Sequence, residues 1–584
     1  LPLGHSSVPH SCLCQASKGM ADPVRKEGQR TAFPSLSNLD FGVLWTADNS
    51  QPKKEDNLRK LPLLIVAVLL ASVLMLGPVP TEAVQAQGAT VVYNLYATDG
   101  YIEMADGLPV YSYGFIGGRE GVGFTYTTSY CTGDGVERWC APPTNVTVAE
   151  GAVAPMGGPW TGQDAQFAGH AQFPAPIVYA TVGDIVEIRL KNLGVTAQPN
   201  APNDPHSIHL HGLDVDAAND GVPETSLGAV PANMCADGST AADGICDPAT
   251  GGPAPSAGNV IVYMFSPDHA GTYMYHCHQE ADIHVNMGMF GALAVYNPGD
   301  AAAATGPGAG MGGNLYGVQY DKDFVLLLGE FDIRGHADEE GTYGGIVPAN
   351  TWDPDPFNWA LYEPQYWFIN GLSFPNTLHT TFPSGYTFDE WLAAHPGYDP
   401  LITGSVSTPN AWWGTPGEKA LIRVINMGFE TQPMHMHGYH GKVIGSDARG
   451  WDWAFAPKSK TNKGGTRPFG EGLEKNTLTV GSGETYDWLI DFGQQSFNSV
   501  YPAGTQSCID DAGNPVEPTD GACVAPAYWE EDHYIQGPVV AGLFNNLTPG
   551  ATSQFFPFHN HDDYKATNDG VYPGGMFTMI VPTE

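Results

Sequence analysis

Basic side chains are what this sequence has least of. Its 584 residues carry 24 lysines and arginines against 62 aspartates and glutamates, a formal charge of −38. Nucleic-acid backbones are held by Lys and Arg, so nucleic acid is excluded as a partner. Charge of either sign is sparse, at 15% of residues, while 42% are hydrophobic and 11% aromatic. A chain so composed buries a core, which excludes global disorder. Long runs with helical periodicity are few. The 72 glycines and 48 prolines suit short strands joined by many turns. The 15 methionines are scattered and form no tract. Cysteine is rare as well: there are nine, an odd number.

One long apolar run exists, LPLLIVAVLLASVLMLG at 61–77, preceded by KKEDNLRK at 53–60 and followed by VQA at 84–86. That layout predicts a secretory signal cleaved after Ala86, with Met20 as a candidate start. An uncleaved run would instead anchor the chain in a membrane. Either way the rest of the chain is expected outside the cytoplasm, periplasmic or extracellular. Of the cysteines beyond residue 86, six fall in local pairs, Cys131/Cys140, Cys235/Cys246 and Cys508/Cys523. In an exported chain these are expected to be loop-stapling disulfides. Cys277 has no such partner, and a lone thiol in an oxidising compartment is a liability unless something holds it.

Segments rich in β-branched and aromatic residues recur throughout, for example 177–193, 260–267 and 271–278, then 324–332, 417–428 and 476–493. They predict an all-β protein of two β-sandwich domains. The layout is a removable extension at 1–86, a first domain at 87–298, a flexible Gly/Ala-rich linker at 299–315 and a second domain at 316–584. The halves repeat one another: GDIVEIRLKNLG and GEKALIRVINMG each precede an H-x-H pair, and each half closes with another H-x-H and a Met-containing strand.

Histidine carries the chemistry. Eight of 19 form four H-x-H pairs, His209/His211, His276/His278, His435/His437 and His559/His561; random placement would give about 0.6. On a strand, residues i and i+2 share a face, so each pair presents two imidazoles to one point. Eight nitrogens are too many for one ion and enough for a cluster. Imidazole suits copper, zinc, iron and nickel alike. Cys277 narrows the choice. It lies between His276 and His278, pointing to the opposite face, with His284 and Met289 downstream and His206 three residues ahead of the first pair. A thiolate, two imidazoles and a thioether are the donors of a blue electron-transfer copper. Met287 competes with Met289 for the thioether position, and the five-residue step from His284 favours Met289.

With these motifs the sequence resembles the multicopper oxidases, the family of laccases and metal-ion oxidases, over nearly the whole chain beyond residue 86. The resemblance implies cupredoxin-like Greek-key sandwiches and four coppers per chain: one type 1, one type 2 and two type 3. It implies type 1 ligands His206, Cys277, His284 and Met289, a type 2 pair His209 and His435, and type 3 ligands His211, His276, His278, His437, His559 and His561. Gln432 stands where His206 would repeat and Asn560 where Cys277 would, so the second half lacks a type 1 site. That pattern resembles the two-domain subfamily, in which the cluster forms between subunits of a homotrimer. Asp220 and Glu280 match family acids on the proton path, Asp220 near the type 2 and type 3 coppers and Glu280 near the type 3 side.

The implied activity is a laccase-like oxidase. A phenol or a low-valent metal ion would give electrons singly, and dioxygen would be reduced to two waters. Copper nitrite reductase shares the two-domain trimer but needs only three histidines at one type 2 copper. A non-enzymatic copper-binding protein would show Met or Cys tracts suited to Cu(I), which are absent.

Overall fold

The computed structural model describes residues 88–128, 131–132, 139–140, 144–148, 162–198, 201–232, 260–307, 311–341, 357–374, 376–378, 412–414, 417–451, 473–492, 508–509, 512–516 and 556–582. All lie in one compact unit, Glu82–Glu584. The predicted signal, and Cys235, Cys246 and Cys523, fall outside the described residues. Backbone pairing sets Cys131 opposite Cys140 on a two-stranded antiparallel ladder. Among the described residues no helix is long and apolar enough to cross a membrane.

The chain is built of strands, as its composition predicts. In the first half β1 (Thr90–Glu103), β2 (Pro109–Arg119), β3 (Val178–Thr181), β4 (Ile185–Gly194), β5 (His209–His211), β6 (Val260–Phe265), β7 (Gly271–His276) and β8 (Phe290–Tyr296) form two four-stranded sheets, ordered β6-β4-β1-β2 and β3-β8-β7-β5. Alternation decides which side chains meet between them. Along β4, Val186, Ile188 and Leu190 are fully buried, while Arg189 turns outward to pair with Glu187 and Glu120. The buried set meets Leu210, Tyr275 and Leu293 of the facing sheet in one core.

The second half repeats the plan. A seven-stranded sheet contains β9 (Lys322–Phe331), β10 (Tyr366–Ile369), β12 (Lys419–Asn426), β14 (Gly441–Ser446) and β16 (Thr485–Asp491), with two short edge strands, Arg449–Gly450 and Leu473–Lys475. Its partner sheet runs β11-β18-β17-β13-β15, from β11 (Trp412–Gly414), β13 (Gln432–Met436), β15 (Thr477–Val480), β17 (Phe556–Asn560) and β18 (Phe577–Pro582). The duplication shows in the pairing. β1 runs parallel to β4 as β9 does to β12, and β3 parallel to β8 as β11 does to β18. Each half is a sandwich of two β-sheets.

Two features join the sandwiches. A shared apolar layer places Phe290 and Met274 of the first half against Val325, Leu327, Phe331 and Phe368 of the second. Beside it Arg423, fully buried on β12, grips Asp323 through Nε and Nη2 at 2.8 and 3.1 Å. Its Nη1 donates to Thr272 Oγ1 of β7 at 3.0 Å, and its guanidinium lies 4.8 Å from the Tyr296 ring centroid. The segment expected to be a flexible linker is partly structured. α1 (Ala281–His284) precedes it in the chain, and α2 (Ala302–Thr305) and a hairpin, Gly313–Leu315 with Val318–Tyr320, lie within and beyond it. Asp300 accepts the Asn297 and Asn314 backbone N–H groups, and Ala302 is buried in the first core.

Candidate metal centre

Strand alternation sorts the histidines from the cysteine. His276 lies directly opposite His209, and Met274 opposite His211, across the β7–β5 ladder. Tyr275 and Cys277 therefore face inward, and both are fully buried in the first core. There Cys277 Sγ lies 3.4 Å from His284 Nδ1 and 3.8 Å from His206 Nδ1. The ligand atoms of the three residues are all within 4.8 Å of one another.

Backbone bonds fix the donors. His206 exchanges N–H···O bonds with Ala229, at 3.0 and 2.7 Å. Ser207 N–H points at Sγ, 3.4 Å away. Cys277 N–H donates to Met289 O, and Met289 N–H to His284 O, both at 3.0 Å. Met287 and Met289 are equally buried in this core; Met289 is the one tied to both Cys277 and His284.

This donor set fits a metal ion. Burial pushes the Cys277 thiol up to about 11 and His284 down to about 4, and burial with the neighbouring His284 holds His206 well below its ordinary value. Both imidazoles are thus neutral and have lone pairs to give. His284 Nε2 is buried without a hydrogen-bond partner. A cation that favours the thiolate is what these buried, uncharged donors would accommodate, and the mixed S/N/thioether set suits copper.

The outward histidines form two quartets. In the first sandwich His209 sits centrally, its ring centroid 5.0, 5.2 and 5.5 Å from those of His276, His278 and His211. In the second, His435 lies 4.8, 5.0 and 5.7 Å from His437, His561 and His559, and His437 Nε2 is 3.0 Å from His559 Nε2. Ring orientation is held through Nδ1: His209 to Asp220 O at 2.7 Å, His276 to Cys277 O at 2.9 Å, His435 to Asn476 O at 2.9 Å and His559 to Asn560 O at 2.8 Å. Engaging Nδ1 leaves Nε2 as the ligand atom. Among the described residues, no ring of one quartet lies against a ring of the other. His211 instead faces the Gly483 turn of the second sandwich, where an added Cβ would stand 3.5 Å from its Nε2.

The two acids expected on the proton path part company. Asp220 Oδ1 lies 3.2 Å from His209 Nδ1, at the first quartet. Glu280 lies at the thiolate site, its carboxylate grouped with Asp204 and a ring nitrogen of His284 within 4.8 Å. Its backbone is left-handed, φ 44°, which is uncommon for a residue with a Cβ. Burial raises the carboxyls of Asp204 and Glu280, and Glu280 is raised further by Asp204 and Asp282. Asp204 carried no motif and was invisible in the sequence.

The second sandwich has the thiolate site's framework without its donors. Asn560 N–H donates to Met576 O at 2.9 Å and Met576 N–H to Lys565 O at 3.0 Å, reproducing the Cys277–Met289–His284 bonds. Lys565 thus takes the place of His284, a substitution hidden by the different loop length. Amides now fill the site: Asn560 Nδ2 donates to Gln432 Oε1 at 2.6 Å, and Gln432 Nε2 to the buried Glu330 at 2.8 Å.

Known proteins are similar to parts of this chain. Residues 141–299 match the family model described as multicopper oxidase. An L-ascorbate oxidase from Nicotiana tabacum is 28% identical over 202 residues, 35% of this chain and 25% of that relative, so the match spans a quarter of the relative's length. Among solved structures, a blue copper oxidase from Nitrosomonas europaea aligns over 85% of this chain and 86% of its own at 16% identity and TM-score 0.40. A multicopper oxidase, mgLAC, aligns over the same shares at 16% identity and TM-score 0.41.

Proposed function

We propose that this chain is a multicopper oxidase, of the family whose model its residues 141–299 match, and that it is exported, draws single electrons from a reducing donor and reduces dioxygen to two waters. The observation that carries this reading is Cys277: its sulfur is buried with His206 and His284, while its backbone neighbours His276 and His278 belong to the outward quartet. Copper, when bound, supplies the one-electron couple at the thiolate set and the multi-electron reduction of dioxygen at the histidine quartets.

The protein's residues do the rest. His206, Cys277, His284 and Met289 would hold the first ion, and burial keeps water from the thiolate. The peptide links from Cys277 to His276 and His278 make the covalent route between the two centres short. Asp220, its Oδ1 3.2 Å from His209 Nδ1, is placed to pass protons to a dioxygen reduction that consumes four. Asp204 and Glu280 beside His284 favour a cationic donor, a low-valent ion of manganese, iron or copper, over a neutral phenol. The two quartets complete one another between neighbouring copies, which calls for a closed ring such as a homotrimer. Four histidines in each quartet exceed what a nitrite reductase's single type 2 copper needs, and support the oxidase.

The test is copper content and oxygen uptake on fully loaded protein, with Mn(II), Fe(II), Cu(I) and a phenol panel as donors. Four coppers per chain with oxygen consumption are expected; no uptake with any donor sinks the reading. Asp220→Ala is expected to keep the blue absorption and slow reoxidation of reduced enzyme by about 100-fold. Unchanged reoxidation would remove the proton role.

A further inference from the structure

The ligand loop from His284 to Met289 belongs to the first sandwich, yet the second sandwich holds it. Asn286, buried at the loop's centre, receives the Asp332 N–H on Oδ1 at 3.0 Å and donates from Nδ2 to Asp332 O at 3.4 Å. Gly288 follows at φ 108°; a Cβ there would meet Phe173 at 3.0 Å, Tyr113 O at 3.1 Å and Phe331 at 3.5 Å. Tyr113 N–H donates to Met287 O at 3.1 Å. The Tyr113 ring lies 5.9 Å from His206 and 5.7 Å, edge-on, from His284. Its hydroxyl donates to Glu339 Oε2 at 3.1 Å. Asp332 and Glu339 bracket one short helix, α3 (Ile333–Glu339), and its His336 bonds Tyr111 O through Nδ1 at 2.6 Å.

We propose that the segment Phe331–Glu339 is a positioning element for the thiolate site, Asn286 clamping the ligand loop to Asp332 and Glu339 seating Tyr113 against the two ligand histidines. The second sandwich, without a thiolate site of its own, thereby sets the ligand field of the first. His336 of the same helix also reaches the Asn286 backbone, so the middle of this short loop is held from the second sandwich on two sides. Two reciprocal amide bonds in a buried setting restrict it more than apolar packing alone, and partners beyond the direct ligands tune a bound ion.

This inference rests on the type 1 reading, and the experiment separates the two. Copper-loaded full-length protein is compared with Asn286→Leu and Asn286→Asp by the visible thiolate-to-copper band, the EPR hyperfine splitting and the reduction potential, with melting of the copper-free proteins measured alongside. Asn286→Asp keeps the volume and the acceptor for Asp332 N–H but loses the donor, so it serves even where the leucine variant does not fold. Both are expected to shift the band and potential in one direction, the leucine variant further, and to release type 1 copper to a chelator about tenfold faster. Variants with the wild-type band and potential, whatever their melting temperature, overturn the clamp. Absence of a blue band in the loaded wild type overturns the type 1 reading itself.

Discussion

Met287 and Met289 are both wholly buried beside Cys277, and the five-residue step from His284 favours Met289 on spacing. The backbone bonds of Met289 to Cys277 and His284 set its side chain in the frame of the site, whereas Met287 N–H is spent on Ile283. A thioether donor stabilises the oxidised ion relative to an apolar neighbour. Met289→Leu is therefore expected to raise the type 1 potential, and Met287→Leu to leave it nearly unchanged, both read by redox titration of the blue band. The reverse pattern would transfer the role to Met287. The remaining candidate metal donors could be proposed from the sequence because each is set by spacing a few residues long, which strand geometry converts directly into a shared face. Asp204, Tyr113 and Asn286 were not: their partners lie in other elements, as with Glu339, 226 residues beyond Tyr113, and no local pattern encodes such a pairing.

At the scale of elements, the strand content and the duplicated plan followed from composition and from the repeated GD/GE-initiated strands, while the fate of the second site did not. Gln432 and Asn560 could be aligned with His206 and Cys277, but Lys565 came into view only through the Met576 bond. What replaced the metal donors is a buried polar network ending on Glu330, which also accepts from Glu430 N–H at 2.9 Å and Tyr362 Oη at 3.2 Å. Burial raises the Glu330 carboxyl to about 7; the Glu430 N–H bond and Lys565 favour its ionisation, and the Glu430 charge opposes it. The folded state therefore binds this proton more tightly than the unfolded chain does. The stabilisation is complete below the unfolded value near 4.5 and is lost as pH rises through about 7, worth at most about 3 kcal/mol. Glu339, also raised to about 7 by burial, titrates in the same window. Melting of the copper-free protein is expected to fall between pH 5 and pH 8 by less in Glu330→Gln than in the wild type. A slope unchanged by the substitution would mean that Glu330 is ionised throughout or never.

For the whole molecule, the decisive fact is that one chain divides the eight histidines of its H-x-H pairs into two groups. The H-x-H spacing says only that the members of a pair share a face; which pairs meet depends on how sandwiches, and copies of the chain, are set together. Within this chain Arg423 and the shared apolar layer bind the sandwiches through β7, β8, β9 and β12, and in that arrangement His211 meets the Gly483 turn rather than His435 or His559. On the proposed reading, a centre drawing on both quartets is made between copies, each copy lending its first quartet to one neighbour and its second to another. Such head-to-tail sharing closes as a ring and makes a mixing experiment quantitative. One variant carries alanine at His209 and His211, another at His435 and His437; each alone should consume no oxygen. Co-assembled at equal amounts, a shared centre is intact wherever an undamaged first quartet meets an undamaged second one, about a quarter of all junctions in a randomly mixed ring. Oxygen uptake near that fraction of wild type is expected from co-expressed protein. A mixture as inactive as its components would place the centre within a single chain, and the sandwiches would then have to move relative to one another to build it.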